Sequence, residues 1–172
     1  YRAATEVLPD FTEAWINLSQ ALRLLGRCSA ALEAAEKALQ INPNQPSAWL
    51  AKGNALRGLH ALGQATDAFR SGVEFAPADG QLKVSLANTT RELGQLPEAI
   101  RLLREAVEEH PEFAEAHRDL AHALLLNGEY REGWAENRWR WGTGSLQDAK
   151  RHQSIPKWTG QPLTGKRVLV WD

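Results

Sequence analysis

The chain has 172 residues, of which 43% are hydrophobic and 24% are charged, and its formal net charge is −1. This balance gives no general attraction to nucleic acid or to an anionic membrane surface. The single cysteine, Cys28, cannot form an internal disulfide. No apolar run approaches the roughly 20 residues that cross a bilayer. We therefore expect a cytoplasmic protein with no nucleic-acid partner and no membrane insertion.

Prolines mark a regular internal repeat. Four of the eight prolines are spaced 34 residues apart, at positions 9, 43, 77 and 111. A fixed period of this length is typical of a solenoid, in which each unit is one small supersecondary element. The spacing predicts units over residues 12–45, 46–79, 80–113 and a degenerate capping unit over 114–141, with residues 1–11 as the end of a preceding unit.

Several columns of the repeat agree with this period. Trp15 and Trp49 share one column, and Ala31, Ala65 and Ala99 share another. Within a unit, the apolar or small residues at positions 4, 7, 8 and 11 lie on one face of a helix. The pattern resembles the tetratricopeptide repeat. That resemblance implies an all-α, right-handed superhelical solenoid of antiparallel helix pairs, whose usual function is to bind proteins or peptides.

Turn residues fit the predicted helix boundaries. Gly26, Gly94 and Gly128 fall where each first helix must end, a position that favours left-handed backbone dihedrals. Asp10 and Asp79 precede first helices, and we expect their carboxylates to cap these helices.

The resemblance also implies a binding surface, because positions 2, 5, 9 and 12 of each first helix usually form the concave face of such arrays. Three rows of like residues occupy these positions. An amide row suits hydrogen bonds to a peptide backbone, an arginine row suits carboxylates or phosphates, and an apolar strip lies between them. The amide row is Gln20, Asn54 and Asn88; the arginine row is Arg23, Arg57 and Arg91; the apolar strip is Ile16, Leu50 and Val84.

These rows predict a groove for an extended, somewhat acidic polypeptide. The alternative interpretation of the arginines is that they favour the negative end of the helix dipole and solubility. Catalytic and metal-binding roles are not expected. The tripeptide His117-Arg118-Asp119 matches a kinase motif but lies within a predicted helix without a glycine-rich loop. His117 and His122 are spaced wrongly for a shared zinc ion.

Residues after the fourth repeat change in character and carry two tryptophan-containing motifs. The first motif comprises Gly128, Tyr130, Gly133, Trp134, Glu136, Trp139, Arg140 and Trp141, and the second Pro156, Trp158, Gly160, Pro162, Leu163, Gly165, Lys166 and residues 168–170. They resemble the junction between a tetratricopeptide array and a glycosyltransferase-like domain of the heptosyltransferase type (GT-B) in bacterial proteins. The resemblance implies that 142–172 comprise a linker and the first strand, 168–171, of a Rossmann-like domain.

The expected function is therefore that of a non-catalytic peptide-binding scaffold without a cofactor, the recognition arm of a bacterial glycosyltransferase. One alternative is that the array presents a protein or glycan acceptor to a nucleotide-sugar transferase domain, and another is self-assembly. We expect the chain to be a piece of a longer protein. Its C-terminal strand, 168–171, is expected to be disordered, to pack on the array or to pair with a second copy in a homodimer. The tryptophans expected to cap the array or to dock the next domain are Trp134, Trp139, Trp141 and Trp158.

Overall fold

The computed structural model describes Thr5 and residues 7–142. From Thr12 onward, these residues form α1 Thr12–Leu24, α2 Cys28–Ile41, α3 Pro46–Gly58, α4 Leu62–Phe75, α5 Gly80–Glu92, α6 Leu96–Glu109, α7 Ala114–Leu126 and α8 Tyr130–Glu136, followed by a 3-10 helix over Asn137–Gly142. No strand occurs among the described residues, which confirms the all-α class. The linker, Trp158 and the strand expected at 168–171 lie outside the described part.

The helices pack as successive pairs. Short turns join α1 to α2, α3 to α4, α5 to α6 and α7 to α8, so the two helices of each pair lie antiparallel. Consecutive pairs contact one another through α2 with α3, α4 with α5, and α6 with α7. Small residues permit this close packing, since Ala31, Ala65 and Ala99 are all completely buried. The predicted solenoid of helix pairs is confirmed.

Left-handed residues end the first helices, as predicted for three of the four repeats. Gly26, Gly94 and Gly128 have φ values of 73°, 80° and 82°. In the second repeat the equivalent residue is His60, with a φ of 59°. The His60 amide donates a hydrogen bond to the Arg57 carbonyl, and the Ala61 amide donates one to the Leu56 carbonyl. These two bonds form a Schellman motif.

The two predicted aspartate caps have different outcomes. The Asp79 carboxylate accepts a hydrogen bond of 3.0 Å from the Leu82 amide and caps α5. The prediction for Asp10 is wrong. Helix α1 begins one residue later than a cap at Asp10 requires, so Phe11 is the N-cap residue, and no described side chain caps the helix.

Proline carbonyls at the repeat boundaries accept hydrogen bonds from the following first helix. In three repeats the residue at position 4 donates from a ring nitrogen to the carbonyl of the proline six residues earlier. The pairs are Trp15 to Pro9 at 2.7 Å, Trp49 to Pro43 at 2.8 Å and His117 to Pro111 at 2.8 Å. These bonds fix the angle at which the chain enters each new repeat.

The third repeat is joined differently. Its position 4 is Lys83, whose Nζ contacts both carboxylate oxygens of Glu109 at 2.6 Å. The nearby boundary is instead held by His110, whose Nε2 lies 2.6 Å from the Ala78 carbonyl oxygen. Every boundary from the first repeat to the fourth is thus tied by a side-chain hydrogen bond to a carbonyl.

Candidate peptide-binding groove

The first helices of the repeats, α1, α3, α5 and α7, line an open concave cavity of about 570 Å³. Its lining is almost wholly polar, and Val84 is the one apolar residue in it. The lining residues are Arg23, Asn54, Arg57, His60, Gln81, Val84, Ser85, Asn88, Arg91, Glu92, Glu115, Arg118 and Asp119. A cavity of this size and polarity fits a hydrated or charged ligand better than an apolar one.

All three members of the arginine row line this cavity. Arg23 and Arg57 are partly buried, and neither makes an ion pair within the part of the chain that the structure describes. The Nε of Arg91 is buried and has no hydrogen-bond partner among the described residues, while its Nη2 lies 3.4 Å from the Asn88 side-chain oxygen. The row therefore places uncompensated positive charge along one wall of the cavity.

The amide row does not form a uniform surface. Gln20 is exposed and lies outside the lining, whereas Asn54 and Asn88 line the cavity. The Asn88 amide nitrogen already donates to the Asp119 carboxylate at 2.5 Å. Asn54 is therefore the member of the row whose hydrogen-bonding groups face the cavity without a described partner.

Two residues of the expected apolar strip belong to the core instead. Ile16 is 5% exposed and Val84 is 1% exposed. Ile16 packs among alanines of α2 and α3, whose small side chains leave space that a larger residue must fill. Leu50 is partly buried and packs against the main core cluster. Ile16 and Val84 therefore expose almost no apolar surface, although Val84 borders the cavity.

The fourth repeat contributes a charged network that the sequence did not reveal. The Arg118 guanidinium lies 2.8 Å from the Asp119 carboxylate and 3.7 Å from that of Glu115. The two carboxylates exceed Arg118 by one charge, so this end of the cavity carries an excess of one negative charge. At the other end, the three residues of the arginine row face one carboxylate, Glu92, which leaves an excess of two positive charges.

His60 also lines the cavity and was missed by the sequence analysis. The available signal was positional, because His60 stands in the column that holds Gly26 and Gly94. It lies two residues after the end of α3 and three residues after Arg57.

Tryptophans at the end of the array occupy different environments. The Trp139 ring stacks on the His117 imidazole, with centroids 4.2 Å apart and planes 11° apart. The Nδ1 of the same histidine contacts the Glu136 carboxylate. Trp134, by contrast, is 63% exposed. The side chain of Trp141 and all of Trp158 lie outside the described residues.

No group of three or more His, Cys, Asp or Glu side chains within residues 7–142 is placed to bind a metal ion. In the same part of the chain, no helix has the length and apolar character needed to cross a membrane.

Helix pairs stacked around a polar concave surface define a helical repeat solenoid. The repeats themselves are tetratricopeptide repeats, because residues 12–55 and residues 91–133 each match a family model of that description. A search of curated protein sequences gives no significant match.

Solved structures share the fold at low sequence identity. The crystal structure of MamA superposes with a TM-score of 0.71 at 17% identity, covering 87% of this chain and 86% of that chain. YrrB, described as a TPR protein with an unusual peptide-binding site, gives 0.67 at 22% identity and covers 82% of this chain and 73% of that one. TTC0263, a thermophilic TPR protein from Thermus thermophilus, gives 0.68 at 24% identity, with coverages of 80% and 75%.

Proposed function

We propose that this chain is a scaffold that binds an extended peptide in its concave groove, and that the peptide is acidic. The tetratricopeptide solenoid is typical of protein–protein interaction, and YrrB is an example described by its peptide-binding site. The observation that carries the proposal is the excess of positive charge at the arginine row within a polar cavity of about 570 Å³. Arginine forms paired hydrogen bonds with carboxylates, so acidic side chains suit this wall.

Asn54 supplies the contact to the peptide backbone in this proposal. Its side-chain amide carries both donors and an acceptor, as a backbone amide does. Asn88 is given a structural role, because its amide nitrogen is occupied by Asp119.

Selection from a random-peptide display library against the whole chain tests the proposal. We expect enrichment of acidic sequences, whose affinity falls with rising salt as exposed charges are screened. Asn54→Ala and Arg57→Gln should each weaken the selected peptides. The matched control is Arg70→Gln, since Arg70 is an exposed arginine on α4 outside the cavity. Selected peptides that lack acidic residues, or that bind all three variants equally, would contradict the groove assignment.

We further propose that the array is the recognition arm of a bacterial glycosyltransferase, in which it presents a protein or glycan acceptor to the transferase. Only the sequence motifs of residues 128–141 and 156–170 support this step. The test is an assay of the full-length parent protein for binding and turnover of nucleotide sugars. A parent that neither binds nor consumes any of them would contradict the assignment.

Self-assembly through the C-terminal segment is a separate proposal, again supported by the sequence of residues 168–171 alone. Light scattering on the chain with and without residues 150–172 tests it. A homodimer that persists without those residues would assign assembly to the array itself.

A further inference from the structure

We propose that His60 is a ligand-binding residue, which together with Arg57 and Arg91 binds a doubly charged anionic feature of the bound peptide. That feature is either one phosphorylated side chain or two neighbouring carboxylates. The inference rests on the proposed peptide-binding function, because the anionic feature belongs to the peptide that the groove is proposed to bind.

The backbone at His60 is the first line of support. All four first helices end in the same turn, and the residue at its left-handed position is glycine in three of them. A residue with a Cβ is strained in this conformation, although histidine is among the side chains that adopt it more often than most. Strained backbone conformations cluster at functional sites, so an observed outlier supports a functional hypothesis for the side chain. His60 is the one non-glycine residue with a positive φ among the described residues.

The position of the His60 side chain is the second line of support. His60 lines the cavity together with the arginine row, and it follows the helix whose last turn holds Arg57. Arg91 lies in the last turn of α5. The ends of two first helices thus contribute an imidazole and two guanidinium groups to the lining of the same cavity.

The charged groups of the cavity lining indicate the charge of the ligand. The charged groups that face this cavity are Arg23, Arg57, Arg91, Arg118, Glu92, Glu115 and Asp119. The whole lining therefore has a net charge of +1, because its four arginines face three carboxylates. Beside the arginine row, where Glu92 is the one carboxylate, the local excess is two positive charges, and beside Arg118 there is an excess of one negative charge. The Nε–H of Arg91, in addition, is buried without a partner in the part of the chain that the structure describes. A phosphate carries nearly two charges and three acceptor oxygens at neutral pH, and two adjacent carboxylates match the same charge.

Binding assays on arrayed peptides test the inference. Each acidic peptide from the display selection is synthesised with serine, phosphoserine or an Asp-Asp pair at its most acidic position, and is measured against the whole chain. We expect the phosphoserine form, the Asp-Asp form or both to bind at least about tenfold more tightly than the serine form, as charge-assisted hydrogen bonds do.

Variants at position 60 separate binding from folding. His60→Asn keeps a side chain that tolerates the left-handed turn, and it should lose most of the preference for the charged peptides. His60→Gly should lose the same preference while raising Tm by about 2–4 °C, because the strain is removed. His122→Ala, at an exposed histidine on α7 outside the cavity, is the control and should bind as the wild type does.

The outcomes are distinct. Equal binding of the serine and charged forms, or full affinity in both position-60 variants, would overturn the role of His60 and leave peptide binding intact. Failure of every peptide to bind the wild type would overturn peptide binding as well. A preference for phosphoserine over Asp-Asp would identify the ligand group as a phosphate, and the reverse would identify it as a carboxylate pair.

Discussion

Lys83 occupies the position at which the first two repeats have tryptophan, and its ammonium group contacts the Glu109 carboxylate at 2.6 Å. The pair is asymmetric, since the Lys83 side chain is 7% exposed and that of Glu109 is 41% exposed. Removal of the carboxylate leaves a buried charge unpaired, whereas removal of the lysine leaves a carboxylate that water can reach.

We therefore expect Glu109→Ala to lower the free energy of unfolding by about 2 kcal/mol, less than for a fully buried pair. Lys83→Met should lower it by under about 1 kcal/mol, because the apolar side chain suits the buried site. Urea denaturation of both single variants and the double variant measures the difference. Equal decreases in the free energy of unfolding in the two single variants would contradict the expected effect of Lys83 burial.

Gly53 and Gly63 should respond oppositely to alanine. A Cβ at Gly53 would overlap the Phe69 ring, whereas no described atom lies within 4 Å of a Cβ at Gly63. Gly53→Ala should cost about 1–3 kcal/mol through overpacking, and Gly63→Ala should gain about 0.5–1 kcal/mol through helix propensity. Thermal denaturation followed by circular dichroism compares them. A neutral Gly53→Ala would mean that the Phe69 ring moves aside freely.

Trp139 should stabilise the last repeat more than Trp134. Trp139 stacks on the buried His117 ring, while Trp134 is 63% exposed. Trp139→Ala should cost about 2 kcal/mol, below the range for a fully buried aromatic residue, and Trp134→Ala under about 0.5 kcal/mol. Amide hydrogen exchange in α7 is the appropriate measurement, because the loss is expected at one end of the array. Similar protection of α7 in both variants would argue against a capping role for Trp139.

Acid should weaken the contact between the third and fourth repeats. A hydrogen bond from Asn127 and the Arg104 guanidinium lower the pKa of Glu129 below its usual value. A carboxylate whose pKa is lower in the folded chain contributes stability above the unfolded value of about 4.3, and loses it as the pH falls through the folded pKa. The wild type should have a higher free energy of unfolding than Glu129→Gln at neutral pH, and this difference should decline below about pH 5.

Urea titrations at a series of pH values measure this decline, with Glu108→Gln as the control because Glu108 is an exposed glutamate of α6 without a described ion pair. A difference in the free energy of unfolding between the wild type and Glu129→Gln that does not change with pH would contradict the electrostatic explanation and indicate packing instead.

Much of the fold could be predicted from sequence because one period governs it. The proline spacing and the alanine column of Ala31, Ala65 and Ala99 depend only on position within a repeat, so four copies of the same signal reinforce one another. The glycines that end the first helices could be predicted for the same reason, because they too recur at one position of the repeat. Asp10 was predicted wrongly because the start of a helix is set by one or two residues that vary between repeats.

The groove was less predictable because its chemistry depends on contacts between repeats. Burial of Ile16 follows from the small size of the alanines opposite it, which belong to other helices. The hydrogen bond from Asn88 to Asp119 joins residues 31 positions apart on different helices, and no column of the repeat reports it. His60 was detectable as a departure from a glycine column, but its place in the cavity required the structure.

The boundary hydrogen bonds have a consequence for how such a protein evolves. Trp15, Trp49 and His117 hold proline carbonyls, and His110 holds the remaining boundary. These side chains lie outside the cavity lining, so the curvature of the solenoid and the composition of its inner wall are encoded by separate residues. Mutation can therefore exchange arginines, amides and carboxylates on that wall and so change the preferred ligand. The hydrogen bonds at the repeat boundaries, and with them the curvature of the solenoid, stay the same.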